Sequence, residues 1–335
     1  MTYRLALLSA LVTLPAVAQA GAWESKTSQE AMSSREVERS LAMPKGWLEF
    51  SLGADVKQST GYWSSAGEAQ DFEDTTWLHT TEWMQLRYGL TRRIEVYGYL
   101  PFHYLQLTND VYGTDISGFY LGDPRYGVLA ELLDQEAPTL SVVARVELKA
   151  PAGNESPGSY IGGPASFSQF VTTTAGHDLT LGIEAKQQFG PLALGLNAGY
   201  VHRFSGLAQF VIETAQNQLL GRIKAGDRVY ASASVMAQGG PAALVASPYF
   251  EMHRPVSMGT SSGGLSPDGN LVQVEGSGGW SYGVDLGLVL NITHNWDLVG
   301  GASIPLRGED LMFFPIEDIH PTRGNTFSGA LKFRY

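Results

Sequence analysis

Apolar and polar residues alternate along most of the chain. Between Trp47 and Val56 every second side chain is apolar, and the positions between are charged, polar or glycine. The same period of two recurs at 138–149, 178–189 and 280–292. Successive side chains of a β-strand point to opposite faces, so each of these segments predicts a strand with one apolar and one polar face.

The breaks between these segments alternate between short turns and long polar stretches. The short breaks lie at Thr91-Arg92, Asp134 to Ala137, Gly190-Pro191, Gly239 to Pro241 and Thr293 to Asn295. The long stretches lie near 59–77, 106–118, 151–175, 205–225, 255–277 and 307–324. Five short turns and six long loops connect twelve strands, so the pattern predicts a quasi-repeat of hairpins with all long loops at one end.

This pattern favours a membrane barrel over a soluble β-sandwich, which also alternates. The predicted strands, about 11 to 14 residues long, exceed the usual strand length, and when tilted they reach across a bilayer. Lipid offers the backbone no hydrogen bonds, so a spanning sheet must close. We therefore predict an all-β fold over residues 45–335: a transmembrane antiparallel β-barrel of about 12 strands with short periplasmic turns and long extracellular loops.

Two further expectations concern single residues of the barrel wall. Because proline cannot donate to a sheet ladder, we expect a β-bulge at Pro248, near the middle of its strand. Aromatic residues near strand ends predict interfacial girdles; these are Trp47, Trp83, Tyr99, Tyr104, Tyr200, Trp280 and Trp296.

The N-terminus predicts export. Residues 1–20 combine Arg4, an apolar run from Leu5 to Val17 and the small-residue sequence Ala18-Gln19-Ala20, which is typical of a cleaved signal peptide. Residues 21–44 are polar, with a short helix predicted around Glu30 to Leu41. This segment either enters the barrel lumen as a plug or remains in the periplasm. The expected location is the outer membrane of a Gram-negative bacterium.

Composition adds to this picture by excluding some classes of protein and of binding partner. The chain has 335 residues, no cysteine, 39 glycines and 16% charged residues, so it is neither a disulfide-stapled module nor a disordered chain. Its net charge of −11 disfavours nucleic acid as a partner. The expected partners are outer-membrane lipid and lipopolysaccharide, the barrel-assembly machinery and a small-molecule permeant. We expect no cofactor and no metal.

The last strand carries a second signal. From Asn325 to the C-terminus apolar and polar residues alternate, and the chain ends on an aromatic side chain. This resembles the recognition signal that the barrel-assembly machinery reads in outer-membrane proteins. The residues of this predicted assembly signal are Phe327, Leu331, Phe333 and Tyr335.

Four stretches carry a resemblance to a known family: KGWLEFSLG at 45–53, LRYGLTRRIEVYGYLP at 86–101, LGDPRYGVL at 121–129 and VELKAPAG at 146–153. They resemble the outer-membrane family described as transporters of the MetA pathway of phenol degradation. The resemblance runs through most of the mature chain and implies an outer-membrane barrel that transports small, aromatic or hydrophobic molecules. Its motifs are strand and turn patterns, and they transfer no functional residue.

If the apolar face meets lipid, the charged residues of the other face line the lumen. They are candidates for selecting permeants through rings of charge, and an ion-paired interior that plugs the barrel is the alternative. The predicted lumen-facing residues are Arg87, Arg93, Glu95, Arg125, Glu131, Arg145, Glu147, Lys149, Glu184, Lys186, Arg203, Asp285 and Lys332.

The predicted function is therefore an outer-membrane channel or transporter for small molecules. A structural or adhesive surface barrel is the alternative, and a lipid hydrolase is less favoured. Outer-membrane hydrolases place a serine two residues after a histidine on one strand, and none of the seven histidines has a serine there. We predict no catalytic residue.

Overall fold

The computed structural model describes residues 33, 35–64, 66–72, 75–109, 114–133, 140–152, 176–212, 217–261, 264–265, 268–273, 278–293, 295–309 and 323–335. The predicted signal peptide, residues 21–32 and the turn from Asp134 to Ala137 lie outside the described residues. The described residues from Arg35 onward belong to one compact unit, Ser34–Tyr335. In this described part of the chain, no helix is both long and apolar enough to cross a bilayer.

Twelve antiparallel strands form a closed wall, which confirms the predicted all-β barrel. Each strand pairs with the strands before and after it, and the last strand pairs with the first. The strands are β1 (Leu48–Ser59), β2 (Thr75–Gly89), β3 (Ile94–Asn109), β4 (Arg125–Leu133), β5 (Leu140–Lys149), β6 (Asp178–Phe189), β7 (Leu192–Arg203), β8 (Arg228–Gly239), β9 (Ala242–His253), β10 (Gly279–Asn291), β11 (Trp296–Glu309) and β12 (Thr326–Arg334).

The two ends of the barrel differ as predicted. At one end lie the short turns, together with the start of β1 and the end of β12. Gly190 and Gly240, with φ of 61° and 58°, begin the two tightest turns, and each is followed by a proline. Positive φ at the first turn position followed by proline fits a type II′ hairpin turn, whose twist matches that of the flanking strands.

The long loops at the other end contain more β-structure than their polar sequences indicated. Thr114–Leu121 pairs with the outer part of β3. The remaining loop strands form two small sheets; these strands are Gly61–Trp63, Ala69–Asp71, Gly206–Ile212, Asn217–Lys224, Ser257–Ser261, Gly264–Leu265 and Asn270–Gln273. Of the helix predicted around Glu30 to Leu41, the part that the structure describes contains a single 3-10 turn, Glu36–Glu38, and the residues before 33 lie outside the described residues.

The bulge expected at Pro248 is absent, so that prediction was wrong. The β8–β9 register is the same on both sides of the proline, at Ser232↔Tyr249 and at Val235↔Ala246, and only the pairs between them are missing. A missing N–H removes local pairing without requiring an extra residue. A register shift occurs instead between Tyr282 and Gly283 of β10, opposite Pro305.

The outer face is apolar and the inner face is polar. Leu196 is 64% exposed and Phe327 is 60% exposed on the outside of the wall, where lipid would cover them. Trp280 stacks on Tyr282 and Trp296 contacts Phe333 on this surface, at opposite ends of the barrel. The girdle prediction was wrong for Trp83 and Tyr99, which face the lumen, and for Trp47, which is buried.

Candidate functional site

The inner face carries most of the predicted lumen charges. The side chains on it are Arg87, Glu95, Arg125, Glu131, Arg145, Glu147, Lys149, Glu184, Lys186, Arg203, Asp285 and Lys332. Arg93 is a correction, because β3 begins only at Ile94. Arg93 therefore lies in the short turn outside the strand pleat, and its side chain is exposed.

A chain of buried ion pairs crosses the seam where the barrel closes. Arg334 of β12 contacts Asp297 of β11 and donates from Nε to Glu49 Oε2 of β1 at 2.5 Å. Arg87 of β2 continues the chain, with Nη1 3.3 Å from Glu49 and two hydrogen bonds, at 2.7 and 2.9 Å, to Glu95 of β3. We call Arg39, Glu49, Arg87, Glu95, Asp297 and Arg334 the seam network. Its cations and carboxylates balance, which is how charges can be buried without large cost.

Residues 35–47 lie at the short-turn end of the barrel, and Arg39 and Met43 complete the seam network. Arg39 donates to Asp297 at 2.5 and 3.3 Å, and the backbone N–H of Met43 donates to Glu95 at 2.7 Å. Burial would lower the pKa of Arg39, but the hydrogen bond and charge of Asp297 outweigh it and raise that pKa. The cation is therefore permanent.

Other strands hold the same segment from the opposite side of the lumen. Lys186 of β6 donates to the carbonyls of Glu36 and Arg39 at 2.9 and 2.8 Å. The backbone N–H of Val37 donates to the Gln238 side chain of β8 at 3.3 Å, and Val37 is 1% exposed. Ala42 packs with Leu129 and Val143 in an apolar cluster. Contacts to strands around the whole ring therefore fix residues 35–47 across the short-turn end.

Three cavities follow the barrel axis. The upper cavity, about 460 Å³, lies toward the long loops. The middle cavity, about 400 Å³, shares Arg145, Glu147, Asn197 and Ser232 with it. The lower cavity, about 390 Å³, lies at the short turns and shares Arg39, Ser40 and Lys186 with the middle one. Residues 35–47 therefore lie between the upper and middle cavities on one side and the lower cavity on the other.

Charges of both signs line the upper cavity on different strands. Arg145 Nη2 donates to the hydroxyl of Tyr230 at 2.6 Å, and its guanidinium lies 6.0 Å from that ring centre. Arg228 lies over the same ring at 5.5 Å. On β9, Glu251 accepts a hydrogen bond from Ser281 at 3.0 Å. The arrangement places oriented charges of both signs around the cavity, which suits binding or selection of polar solutes.

The inner face makes room for aromatic side chains by placing glycine opposite them. Trp83, Tyr97, Tyr230 and Tyr249 are the direct cross-strand partners of Gly53, Gly127, Gly199 and Gly283. A Cβ added to any of these glycines would come within 2.6 Å of the partner ring or its hydroxyl. The abundant glycine of the chain therefore serves, in part, to let rings lie flat against the wall.

A rim of carboxylates just before three strands was missed by the sequence prediction. Asp123, Asp178 and Asp227 are 0%, 3% and 6% exposed and lie before or at the start of β4, β6 and β8. Lys149 bridges the first two, with Nζ 3.6 Å from Asp123 and 2.9 Å from Asp178. The recurrence of Gly-Asp, Gly-His-Asp and Gly-Asp at 122, 176 and 226 is the signal that could have found them.

Asp227 is the clearest electrostatic anchor of this rim. It accepts hydrogen bonds from the backbone of Arg203 at 3.0 Å and from the hydroxyl of Tyr200 at 2.7 Å. Burial alone would raise the pKa of Asp227, but these bonds and the nearby Lys224 and His202 lower it below the ordinary aspartate range. Asp227 therefore keeps its charge at a lower pH than an ordinary aspartate does.

The residues of the predicted assembly signal all lie at β12 and the C-terminus that follows it. Phe327 and Leu331 are exposed on the outer face, and Phe333 contacts both Trp296 and Tyr335. Recognition by the barrel-assembly machinery stays a prediction. Within the described ranges, no group of three or more His, Cys, Asp or Glu side chains is arranged to hold a metal ion.

Comparison with solved structures identifies the architecture. The chain resembles the crystal structure of an outer-membrane channel from Pseudomonas putida F1, with a TM-score of 0.63 and 12% identity over 93% of this chain and 100% of that one. The chain has the fold of an outer-membrane β-barrel. This confirms the predicted barrel class, and the apolar outer face of the wall agrees with the predicted location in the outer membrane.

More distant barrels align over most of the chain. They include a shortened TodX monoaromatic hydrocarbon channel, with a TM-score of 0.47 and 12% identity over 91% of this chain and 97% of that one. The translocator domain of the autotransporter NalP from Neisseria meningitidis gives 0.45 and 11% over 87% and 88%. No family model matches the barrel sequence. No curated protein matches either, so the resemblance to the MetA-pathway family stays a prediction.

Proposed function

We propose that this outer-membrane barrel is a channel for small molecules, and that residues 35–47 close it at the short-turn end. The carrying observation is the pair of cavities on either side of this segment, which share Arg39, Ser40 and Lys186. Displacing the segment would join them into one path. The similar Pseudomonas putida barrel is described as an outer-membrane channel, which agrees with this role.

The permeant class follows from the lining. Charged and polar side chains, among them arginine, glutamate, tyrosine and serine, line most of the upper cavity and recur, beside leucine and alanine, around the middle cavity. Such walls replace the hydration of a polar solute better than that of a hydrocarbon. We therefore propose small polar molecules, aromatic ones included, rather than the purely hydrophobic permeants that the sequence resemblance implies.

Closure by residues 35–47 can be tested because the chain contains no cysteine. Val37→Cys and Gln238→Cys would place two thiols at a site where these residues are hydrogen-bonded. In planar bilayers, we expect a short reducible cross-linker between them to suppress conductance, and reductant to restore it. Lys186→Met, which removes the bonds to the Glu36 and Arg39 carbonyls, should raise the open fraction.

The single variant Val37→Cys is the matched control, and its conductance should not change when the cross-linker is added. If the wild type, Lys186→Met and the reduced double variant all lack conductance and liposome uptake, the channel proposal is wrong.

A structural or adhesive barrel is the second candidate. The observation that favours it is the burial of the segment's anchors, since Arg39 is 7% exposed and Asp297 is 0% exposed. If the lumen were permanently closed, only the outer loops could contact other molecules and carry a function. A lipid hydrolase has no comparable support, because the structural neighbours are described as channels, porins and a translocator domain.

A further inference from the structure

The upper cavity contains a cation that forms no ion pair with a described residue, although Glu251 attracts it at longer range. Lys57 projects into the cavity from β1, and in the described part of the chain no hydrogen bond or ion pair involves its ammonium group. The lysine side chain is partly buried within the polar lumen. A desolvated ammonium without a partner is costly unless a bound anion compensates it.

A second cation, Arg228, lines the same cavity and has N–H donors left for a ligand. The only ion pair of Arg228 within the described ranges is long, 3.9 Å to Glu251. Its Nε is buried and has no hydrogen-bond acceptor among the described residues. Guanidinium groups bind carboxylates through paired N–H donors, so Arg228 is suited to an incoming carboxylate.

The lining of the upper cavity carries more positive than negative charge. Its cations are Lys57, Arg125, Arg145 and Arg228, and its carboxylates are Glu147, Glu251 and Asp285. Each carboxylate already accepts a hydrogen bond, from Tyr97, Ser281 and Ser303 respectively. The excess cation favours an anionic ligand, although the chain as a whole is acidic.

Aromatic side chains complete the lining. Trp63 and Tyr249 line the wall of the cavity, and the ring of Tyr230 lies near the guanidinium groups of Arg145 and Arg228. Ring faces of this kind contact planar ligands. A volume of about 460 Å³ falls within the range of small-molecule sites.

We propose that the upper cavity binds a small organic carboxylate with a planar ring, and that Lys57 and Arg228 hold its carboxylate. The proposal deepens the channel function above and rests on it, because it names the class of solute that the lumen would receive. Binding at this site would select such anions from the medium before the path opens.

Titration calorimetry on the detergent-purified full chain tests the site without requiring conductance. The probes are benzoate and benzamide, which share the ring but differ in charge, and sulfate as an inorganic anion, all at fixed ionic strength. We expect benzoate to bind and benzamide to bind at least about ten-fold more weakly, since a charge-assisted hydrogen bond is lost.

Lys57→Gln should weaken benzoate binding by about ten-fold or more, and Lys57→Arg should retain it. Lys332→Gln is the matched control, because Lys332 faces inward on the neighbouring β12 but does not line the upper cavity, and it should bind as the wild type does. Unchanged heat-modifiable migration on a gel would show that each variant is folded.

Equal affinity for benzoate and benzamide, unchanged binding by Lys57→Gln, or sulfate binding as tight as that of benzoate would each overturn the proposal. Benzoate binding by a barrel that never conducts would instead leave the site intact and refute the channel function. The two proposals therefore fail separately.

Discussion

Single buried charges at the loop end of the wall depend on hydrogen bonds that the sequence does not display. Asp227 is one of these charges, since its partners Tyr200 and Arg203 lie on β7, a different strand. Alternation predicts which face a strand residue takes, but Asp227 lies one residue before β8 and outside the alternation. Its role becomes visible only when β7 and β8 are paired.

The depressed pKa of Asp227 predicts a pH-dependent contribution to stability. A carboxyl whose folded pKa is lowered stabilises the fold fully above its ordinary value, near 3.9, and loses that contribution as the pH falls through the folded value. Asp227→Asn should therefore lower the free energy of unfolding by about 1–3 kcal/mol at pH 7, with the difference shrinking toward pH 2.

Urea unfolding of the reconstituted barrel at several pH values measures this difference. Glu68→Gln, at an exposed loop position, should unfold like the wild type at every pH. A gap between wild type and Asp227→Asn that widens in acid would contradict the assignment.

At the scale of the strand, the alternation specifies which residues meet lipid. Leu196 lies near the middle of β7 and is 64% exposed, whereas its neighbour Asn197 lines the upper cavity. Leu196→Arg should cost about 2–4 kcal/mol of unfolding free energy, because the charge would face the bilayer midplane. Asn197→Arg should leave stability nearly unchanged and alter ion selectivity.

Unfolding of both variants in lipid vesicles provides the comparison. Similar destabilisation of the two would mean that the two faces of β7 have been assigned wrongly.

The strands could be predicted from the sequence because the membrane favours an apolar side chain at every position of the outer face. Leu196 and Arg145 take the faces that their sequence positions indicate. Trp83 and Tyr99 did not, since their aromatic character suggested a girdle while their register placed them opposite Gly53 or over the lumen. Pro248 likewise needed no bulge, because losing one donor interrupts pairing without shifting the strand.

The whole molecule is organised around contacts between the two ends of the chain. Arg334 and Glu49 are 285 positions apart, and no local pattern predicts that they pair. The sequence therefore predicts the barrel and the inner face but not the seam network. It also left open the placement of residues 35–47, which depends on partners from β2, β3, β6, β8 and β11.

Arg334→Met should be far more damaging than loss of the partly exposed Arg323. It would leave Glu49 and Asp297, which are 1% and 0% exposed, short of a cation, and breaking a buried pair typically costs about 3–5 kcal/mol. Arg323→Met, which breaks a pair with the exposed Asp71, should cost about 1 kcal/mol or less.

The temperature at which the folded band is lost on a heat-modifiability gel ranks these variants. Equal midpoints for Arg334→Met and Arg323→Met would show that the seam network does not stabilise the barrel.

Arg334 ties β1 to the other side of the closure, because from β12 it pairs with Glu49 of β1 and with Asp297 of β11. Until β12 has paired with β1, Glu49 lacks this arginine, so an unclosed sheet carries a less compensated acidic group at its edge. Such a sheet is costly to leave in lipid, and the seam network therefore favours the closed ring over an open intermediate.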